Sequence, residues 1–348
     1  MGYRFIDVSG VGNSGKSALV DLLREFEGLW VPEFWFEFDI LRIPGGLLEL
    51  KTWLCDDWSP VRSHSAVRSF HDVAERMGLD PRWWDLRGLM RSTSQRYDRR
   101  FKGRFRDVSH RFADSFVIGR YRSEWPYDSA REGDLRRFVR KILRRVGLRR
   151  QVMPEVLLVD GVDFSARATH YLDDLYSGIV GPGTEAVVLN NGLEPFNPLP
   201  GLDMIRGSRQ CVVTRDPRDV FVSGLGVHQV GGADRKLLAH DNDGVNKSFL
   251  ATDDIQLFVK RYRLYHEKLY RGDDPRVLRV RFEDLVRKYE TTVDQVAAFL
   301  GLDRARQRRH TFFSPDRSGR NVGVWRQYRG RDQINYIERE LSAYLVED

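Results

Sequence analysis

The stretch Val8-Ser9-Gly10-Val11-Gly12-Asn13-Ser14-Gly15-Lys16-Ser17 reads G-x-x-x-x-G-K-S. The run Tyr3-Arg4-Phe5-Ile6-Asp7-Val8 leads into it with the composition of a short buried strand. Ala18-Leu19-Val20-Asp21-Leu22-Leu23-Arg24-Glu25-Phe26 follows with apolar residues at helical spacing. Strand, glycine turn and helix together predict a phosphate cradle. The glycines let backbone N–H groups converge, and the helix adds the positive end of its dipole. Lys16 supplies a full charge and Ser17 a hydroxyl. Gly12, Asn13, Ser14, Gly15, Lys16 and Ser17 are therefore the expected phosphate-binding set. The loop alone does not choose the nucleotide.

The chain around it has 348 residues, 41% hydrophobic and 31% charged, a globular composition long enough for a large core. No apolar run approaches the roughly 18 residues of a membrane span. The strand and cradle begin at once, so no secretory leader is expected. Cys55 and Cys211 are the only cysteines and cannot form a disulfide framework. A reducing, cytoplasmic setting is expected, and the preference for arginine over lysine points to a bacterial source. The net charge of +7 is uneven: residues 96–150 hold eighteen Lys/Arg against seven Asp/Glu. That segment is either a polyanion-binding surface or a solvated helical face.

A second strand is expected near Trp30-Val31, leading into Glu33-Phe34-Trp35-Phe36-Glu37. Residues 44–150 then read as mostly helical. The α/β signal returns with strands at 156–160, 186–189, 210–214 and 276–280. Helical patterns lie at 165–178, 216–224 and 252–270, with closing helices at 290–301 and 331–346. Alternating strands and helices predict a P-loop-type parallel sheet flanked by helices on both faces. The whole chain, 1–348, reads as one α/β domain with 44–150 as a helical insertion or lid.

A second constellation, Thr214-Arg215-Asp216-Pro217-Arg218-Asp219-Val220-Phe221-Val222-Ser223-Gly224, follows a buried strand. Asp216-Pro217 is a helix start. This puts Arg215 at the C-terminal edge of the sheet, where open α/β sheets bind ligands. An arginine fork with the Ser223 hydroxyl suits a second phosphate.

R-D-P-R-D-V-x-x-S after an apolar strand resembles the 3′-phosphate-binding motif of sulfotransferases. Val280-Arg281-Phe282-Glu283-Asp284-Leu285, the helix from Val293 to Leu302 and the late loop Ser318-Gly319-Arg320-Asn321-Val322-Gly323-Val324-Trp325 are similar to that family's segments, in the family's order. The resemblance covers residues 205–345. It implies the donor 3′-phosphoadenosine 5′-phosphosulfate (PAPS), with adenosine 3′,5′-bisphosphate as product and no metal. It assigns Arg215, Ser223, Gly319 and Arg320 to the 3′-phosphate side. The cradle departs from the family pattern: Asn13 stands where the family has its basic residue. Lys16 takes the position of an ATP or GTP loop, from which it is expected to stabilise the leaving phosphate.

An acceptor hydroxyl or amine needs a base. Sulfotransferases acting on glycans often use a glutamate shortly after the first helix, so Glu37 and Glu33 are the candidates. Set among aromatics, both are expected to have raised pKa values. His64, His71, His110, His170, His228 and His266 are alternatives without a distinctive motif. The implied acceptor is a small molecule or glycan, with an anionic one compatible with the basic segment; no specific nucleic-acid partner is expected. The turn-rich Asn190-Asn191-Gly192-Leu193-Glu194-Pro195-Phe196-Asn197-Pro198 segment is either an acceptor-side loop or a plain connector. Two other classes compete. A P-loop kinase or NTPase would use Lys16 on Mg·ATP with Asp160 holding the metal. A polyanion-binding module would stack bases on Tyr97, Phe101, Phe105, Phe112 and Tyr121, which also fit helix-core spacing.

Overall fold

The strand that feeds the glycine loop lies in the middle of a parallel sheet. The computed structural model describes residues 2–346 except 34–35, 82–83, 94, 124, 126, 128–137, 139–141, 144, 146–152 and 230–248. Its strands are β1 (Arg4–Gly10), β2 (Leu29–Trp30), β3 (Val117–Arg122), β4 (Glu155–Val159), β5 (Ala186–Asn190), β6 (Arg209–Thr214) and β7 (Val277–Arg281). The helices used below are α1 (Lys16–Leu23), α2 (Pro60–Gly78), α3 (Phe105–Asp114), α4 (Phe164–Ser177), α5 (Pro217–Gln229), α6 (Ile255–Lys268), α7 (Phe282–Arg287), α8 (Tyr289–Leu300) and α9 (Arg331–Glu340).

The described residues form two compact units, Met1–Arg42 with Ile179–Asp348, and Ile43–Gly178. The first carries the sheet, in the order β2-β5-β1-β6-β7. Every pairing in it is parallel. Alternation along β6 shows that both faces are covered. Cys211 and Val213 pack with α1, α7 and α8, whereas Val212 packs with α5, α6 and α9. A strand buried on both faces reads as a continuous apolar run, which is why 210–214 was legible. Parallel strands bring the ends of β1, β5, β6 and β7 to one edge. The glycine loop, the Asn190-Asn191 turn, Arg215 and Phe282-Glu283 are gathered there by topology alone.

The second unit corrects one expectation. The strand at 156–160 does not belong to the parallel sheet. As β4 it pairs antiparallel with β3, Val117 opposite Val159 and Arg122 opposite Glu155. Val156, Leu157 and Val159 are buried but Leu158 is exposed, so β4 is only partly covered, as antiparallel pairs allow. The Leu157 N–H donates to Nδ1 of the fully buried His64 at 3.0 Å. A short apolar run does not distinguish these two sheet types.

The aromatics of this unit form its core. Tyr97, Phe101, Phe105 and Phe112 are buried, whereas Tyr121 is exposed. Phe112 stacks on Tyr171 at 4.6 Å and Phe105 meets Tyr97 at 4.9 Å. Four rings closed into a core cannot serve as a base-stacking platform. Much of the basic charge is also matched locally: Arg104 pairs with Asp174, Arg106 with Glu75, and Arg120 with Asp114 and Glu155. Most of the remaining basic residues, from Arg131 to Arg150, lie outside the described residues. No described helix is long and apolar enough to cross a membrane.

Candidate active site

The cradle is a tight left-handed turn. Asn13 (φ 61°) and Gly15 (φ 82°) both adopt positive φ, and the Ser14 N–H donates to the Val11 carbonyl at 3.1 Å. A Cβ on Gly10 would fall 2.4 Å from Ser14 Oγ and 2.7 Å from the Val213 carbonyl. One on Gly15 would fall 2.5 Å from the Phe282 ring. Gly15 caps α1 without a side chain. The first amides of a helix have no intrahelical acceptor, so those of Lys16 and Ser17 suit an anion.

Lys16 Nζ donates to Glu37 Oε1 at 2.7 Å. The same oxygen accepts from Asn191 Nδ2 at 2.7 Å, and Arg42 lies 3.5 Å from Oε2 while also gripping Asp39 at 3.0 Å. Burial lowers the Lys16 ammonium pKa, opposed by the Glu37 carboxylate. Burial pushes Glu37 up, but Lys16, Arg42 and Asn191 outweigh it and hold the carboxyl below its ordinary range. The expected upward shift at Glu37 is thus reversed, because Lys16, Arg42 and Asn191 together outweigh burial. Glu33 is exposed, and among the described residues no hydrogen bond or ion pair holds its carboxylate.

The R-D-P-R-D segment divides its labour. Arg215, 7% exposed, donates to the Asn13 carbonyl at 3.3 Å and to the Asn321 carbonyl, with its guanidinium 5.0 Å from the Phe282 ring centre. It therefore joins the cradle to the late loop. Burial lowers its pKa, against the pull of Asp219 and Glu283. Asp216 and Arg218 hold each other, at 2.7 Å for the closer contact, and Arg218 lies over Trp325 at 4.1 Å. Asp219 accepts the Gly323 and Trp325 N–H groups at 2.7 and 3.2 Å. Glu283 accepts the Asp216 N–H at 2.9 Å, and the Tyr262 hydroxyl donates to the Arg215 carbonyl at 2.8 Å. Ser223 is half-buried on α5, beside Gly224, whose Cβ position is 3.3 Å from Asn13 Nδ2. Gly319 ends a short helix from Pro315, and Arg320 after it is exposed.

Residues 208–306, from before Arg215 to beyond Glu283, match the model of the sulfotransferase family. That stretch is similar to the sulfotransferase family. No curated protein matches it in sequence. Among solved structures, it is similar to the sulfotransferase domain from the curacin biosynthetic pathway at 14% identity, covering 99% of each chain, with a TM-score of 0.38. A second is the sulfotransferase domain of the Synechococcus PCC 7002 olefin synthase, at 14% identity, 99% and 95% coverage and a TM-score of 0.39. A third is a sulfotransferase from Mycobacterium avium, at 12% identity, 100% and 78% coverage and a TM-score of 0.37. These are loose likenesses.

The carboxylate on which the kinase reading rested belongs to the second unit. Asp160 follows β4 in the second unit, and its Oδ1 accepts the Val162 N–H at 3.2 Å. His64, His71, His110 and His170 also belong to the second unit. His71 and His110 sit beside Asp114 and Glu75, and His170 is exposed. His266 is a core residue stacked on Tyr262 at 3.7 Å, with burial lowering its pKa to about 4. The His228 side chain is outside the described residues.

No motif in the sequence assigns a role to Arg42, Asn191, Asp219 or Asp7. Asp7 is buried on β1, accepting the Gly192 and Leu193 N–H groups at 2.7 and 3.1 Å and Gln210 Nε2 at 3.1 Å. Burial pushes its carboxyl up from 3.8 to about 7, against the two amides and the charges of Lys16 and Arg42. The folded state therefore binds this proton more tightly than the unfolded chain. The resulting stabilisation is full below about pH 4 and lost as pH rises through about 7. Wild type is expected to lose stability relative to Asp7→Asn across that window, by about 1.4 kcal/mol for each tenfold difference in proton affinity between the folded and unfolded chain. Urea unfolding at several pH values checks this; a wild-type-minus-variant difference that stays flat excludes it.

Proposed function

We propose that the protein moves a sulfuryl group from PAPS to a hydroxyl or amine of a small-molecule or carbohydrate acceptor. The observation that carries this reading is the 2.7 Å pairing of Lys16 with Glu37 at the mouth of a cradle that Arg215 ties to the late loop. Arg215 Nε and Asn13 Nδ2 are buried donors without hydrogen-bond partners. Leaving such groups unmet is costly, and anionic phosphate oxygens suit them. The residues present thus fit a nucleotide carrying phosphates at both its 5′ and 3′ positions.

PAPS supplies an activated sulfuryl group with adenosine 3′,5′-bisphosphate as its leaving group. The cradle amides and Ser17 would hold the 5′ side, and Arg215, Ser223 and the Gly319–Asn321 stretch the 3′ side. Lys16 stabilises charge on the oxygen released from sulfur. Glu37 accepts the acceptor's proton as the acceptor oxygen or nitrogen bonds to sulfur and the bridging oxygen leaves with its electron pair. A carboxylate kept ionised by neighbouring cations is ready for that role near neutral pH.

Thermal unfolding with two ligands tests the reading. Adenosine 3′,5′-bisphosphate without metal is expected to raise Tm, by about 2.7 kcal/mol of stabilisation at a hundredfold excess over Kd. Stabilisation by Mg·ATP but not by the bisphosphate would favour the kinase reading instead.

A further inference from the structure

The turn after β5 is built around Glu37. Asn190 Nδ2 donates to the Phe36 carbonyl at 3.0 Å, and the Asn190 carbonyl accepts the Phe38 N–H at 3.4 Å. These bonds bracket Glu37 on both sides. Asn191 has φ 52°, a left-handed conformation that Asn tolerates better than most residues. Its N–H donates to the Val8 carbonyl at 2.9 Å, and its Nδ2 reaches Glu37 Oε1 at 2.7 Å. Asp7 accepts the next two amides, from Gly192 and Leu193. The turn is thereby pinned to the strand that carries the cradle.

We propose that Asn190 and Asn191 are positioning residues for Glu37, holding its carboxylate in place when Lys16 turns to the leaving group. The inference rests on the role of Glu37 as base. Lys16 and Asn191 share one carboxylate oxygen, yet they differ in kind. Lys16 is a flexible cation for which charge on a leaving oxygen would compete. Asn191 is short, neutral and strapped to β1. When Lys16 departs, Asn191 and Arg42 remain on the carboxylate. With them, one lone-pair direction stays fixed, as efficient proton transfer needs. A plain connector at positive φ is met as well by glycine; the side-chain amide on a half-buried carboxylate is what a connector does not explain. Among the described residues, the charged groups around Glu37 include Lys16 from α1, Arg42 and its partner Asp39 from the same segment, Glu194 acting on Arg42 and Asp7 acting on Lys16.

Two variants test this in the full chain: Asn191→Gly, which keeps the left-handed backbone, and Asn191→Asp, which keeps the size. Carboxyl-¹³C glutamate labelling follows the titration of Glu37, its resonance identified by its loss in Glu37→Gln. The Asn191 donor lowers the Glu37 pKa. The midpoint is therefore expected to rise in Asn191→Gly and further in Asn191→Asp, where a second carboxylate faces the first. With PAPS and 2-naphthol as probes, kcat is expected to fall about tenfold, the scale of one hydrogen bond to a charged group. The acid limb should move to higher pH, with the KM for PAPS unchanged. If Glu37→Gln loses activity while Glu37 titrates alike in wild type and both variants, the positioning role is overturned and the base reading stands. If Glu37→Gln keeps full activity, the base reading falls and the positioning role with it.

Discussion

Lys16→Ala is expected to lower kcat/KM for sulfuryl transfer by about 10²–10³-fold, or ~2.7–4 kcal/mol, the range for removing one charge-stabilising donor. The loss has two sources that pH separates. One is stabilisation of the leaving oxygen, which no change of pH restores. The other is the effect on Glu37, whose carboxyl Lys16 holds down by charge and by a hydrogen bond. With the ammonium gone, the Glu37 pKa rises, so the acid limb of the rate profile moves to higher pH and part of the loss is recovered there. Because the two side chains touch at 2.7 Å, the double variant Lys16→Ala/Glu37→Gln should cost less than the two single losses combined. Steady-state release of adenosine 3′,5′-bisphosphate across pH measures all of this. Near-normal turnover in Lys16→Ala would remove Lys16 from the chemistry.

The site was legible wherever one short segment fixed both geometry and chemistry. The cradle is such a case: a Cβ at Gly10 or Gly15 collides with its surroundings, so the glycine spacing follows from the fold itself. The R-D-P-R-D segment was legible as a unit but not in its parts. Charge alone does not separate Arg215, which joins the cradle to the late loop, from Arg218, which Asp216 and Trp325 hold in place. Glu283 likewise reads as a helix start, and only the fold shows it accepting the Asp216 N–H. Arg42 lies in no motif, and Asn191 was legible only as part of a turn-rich segment. Each is a single polar residue in irregular chain, and its partner Glu37 is reached only through tertiary contact. The direction of the Glu37 pKa shift is hidden from the sequence for the same reason. Its aromatic sequence neighbours suggested desolvation, while the cations that decide the sign come from α1 and from Arg42. The strand at 156–160 failed differently, because apolar content gives burial without saying which sheet supplies it.

Arg215→Ala is expected to weaken binding of adenosine 3′,5′-bisphosphate by more than about a hundredfold, or roughly 2.7 kcal/mol, with a smaller effect on kcat. The guanidinium is buried, and its Nε is an unmet donor. It also links the Asn13 and Asn321 carbonyls, so its loss removes a ligand group and a brace together. The late loop is expected to persist, because Asp219 holds Gly323 and Trp325 independently. Lysine at 215 should recover little, since a single ammonium cannot serve two carbonyls and a phosphate in the planar geometry of a fork. Calorimetric titration with two nucleotides isolates the ligand role. Wild type should prefer the 3′,5′-bisphosphate over adenosine 5′-phosphate, and Arg215→Ala should bind the two about equally. A general loosening of the site would weaken both nucleotides and leave their ratio intact. Survival of the wild-type ratio in Arg215→Ala would therefore move recognition of the 3′-phosphate to another residue, with Ser223 the next to test.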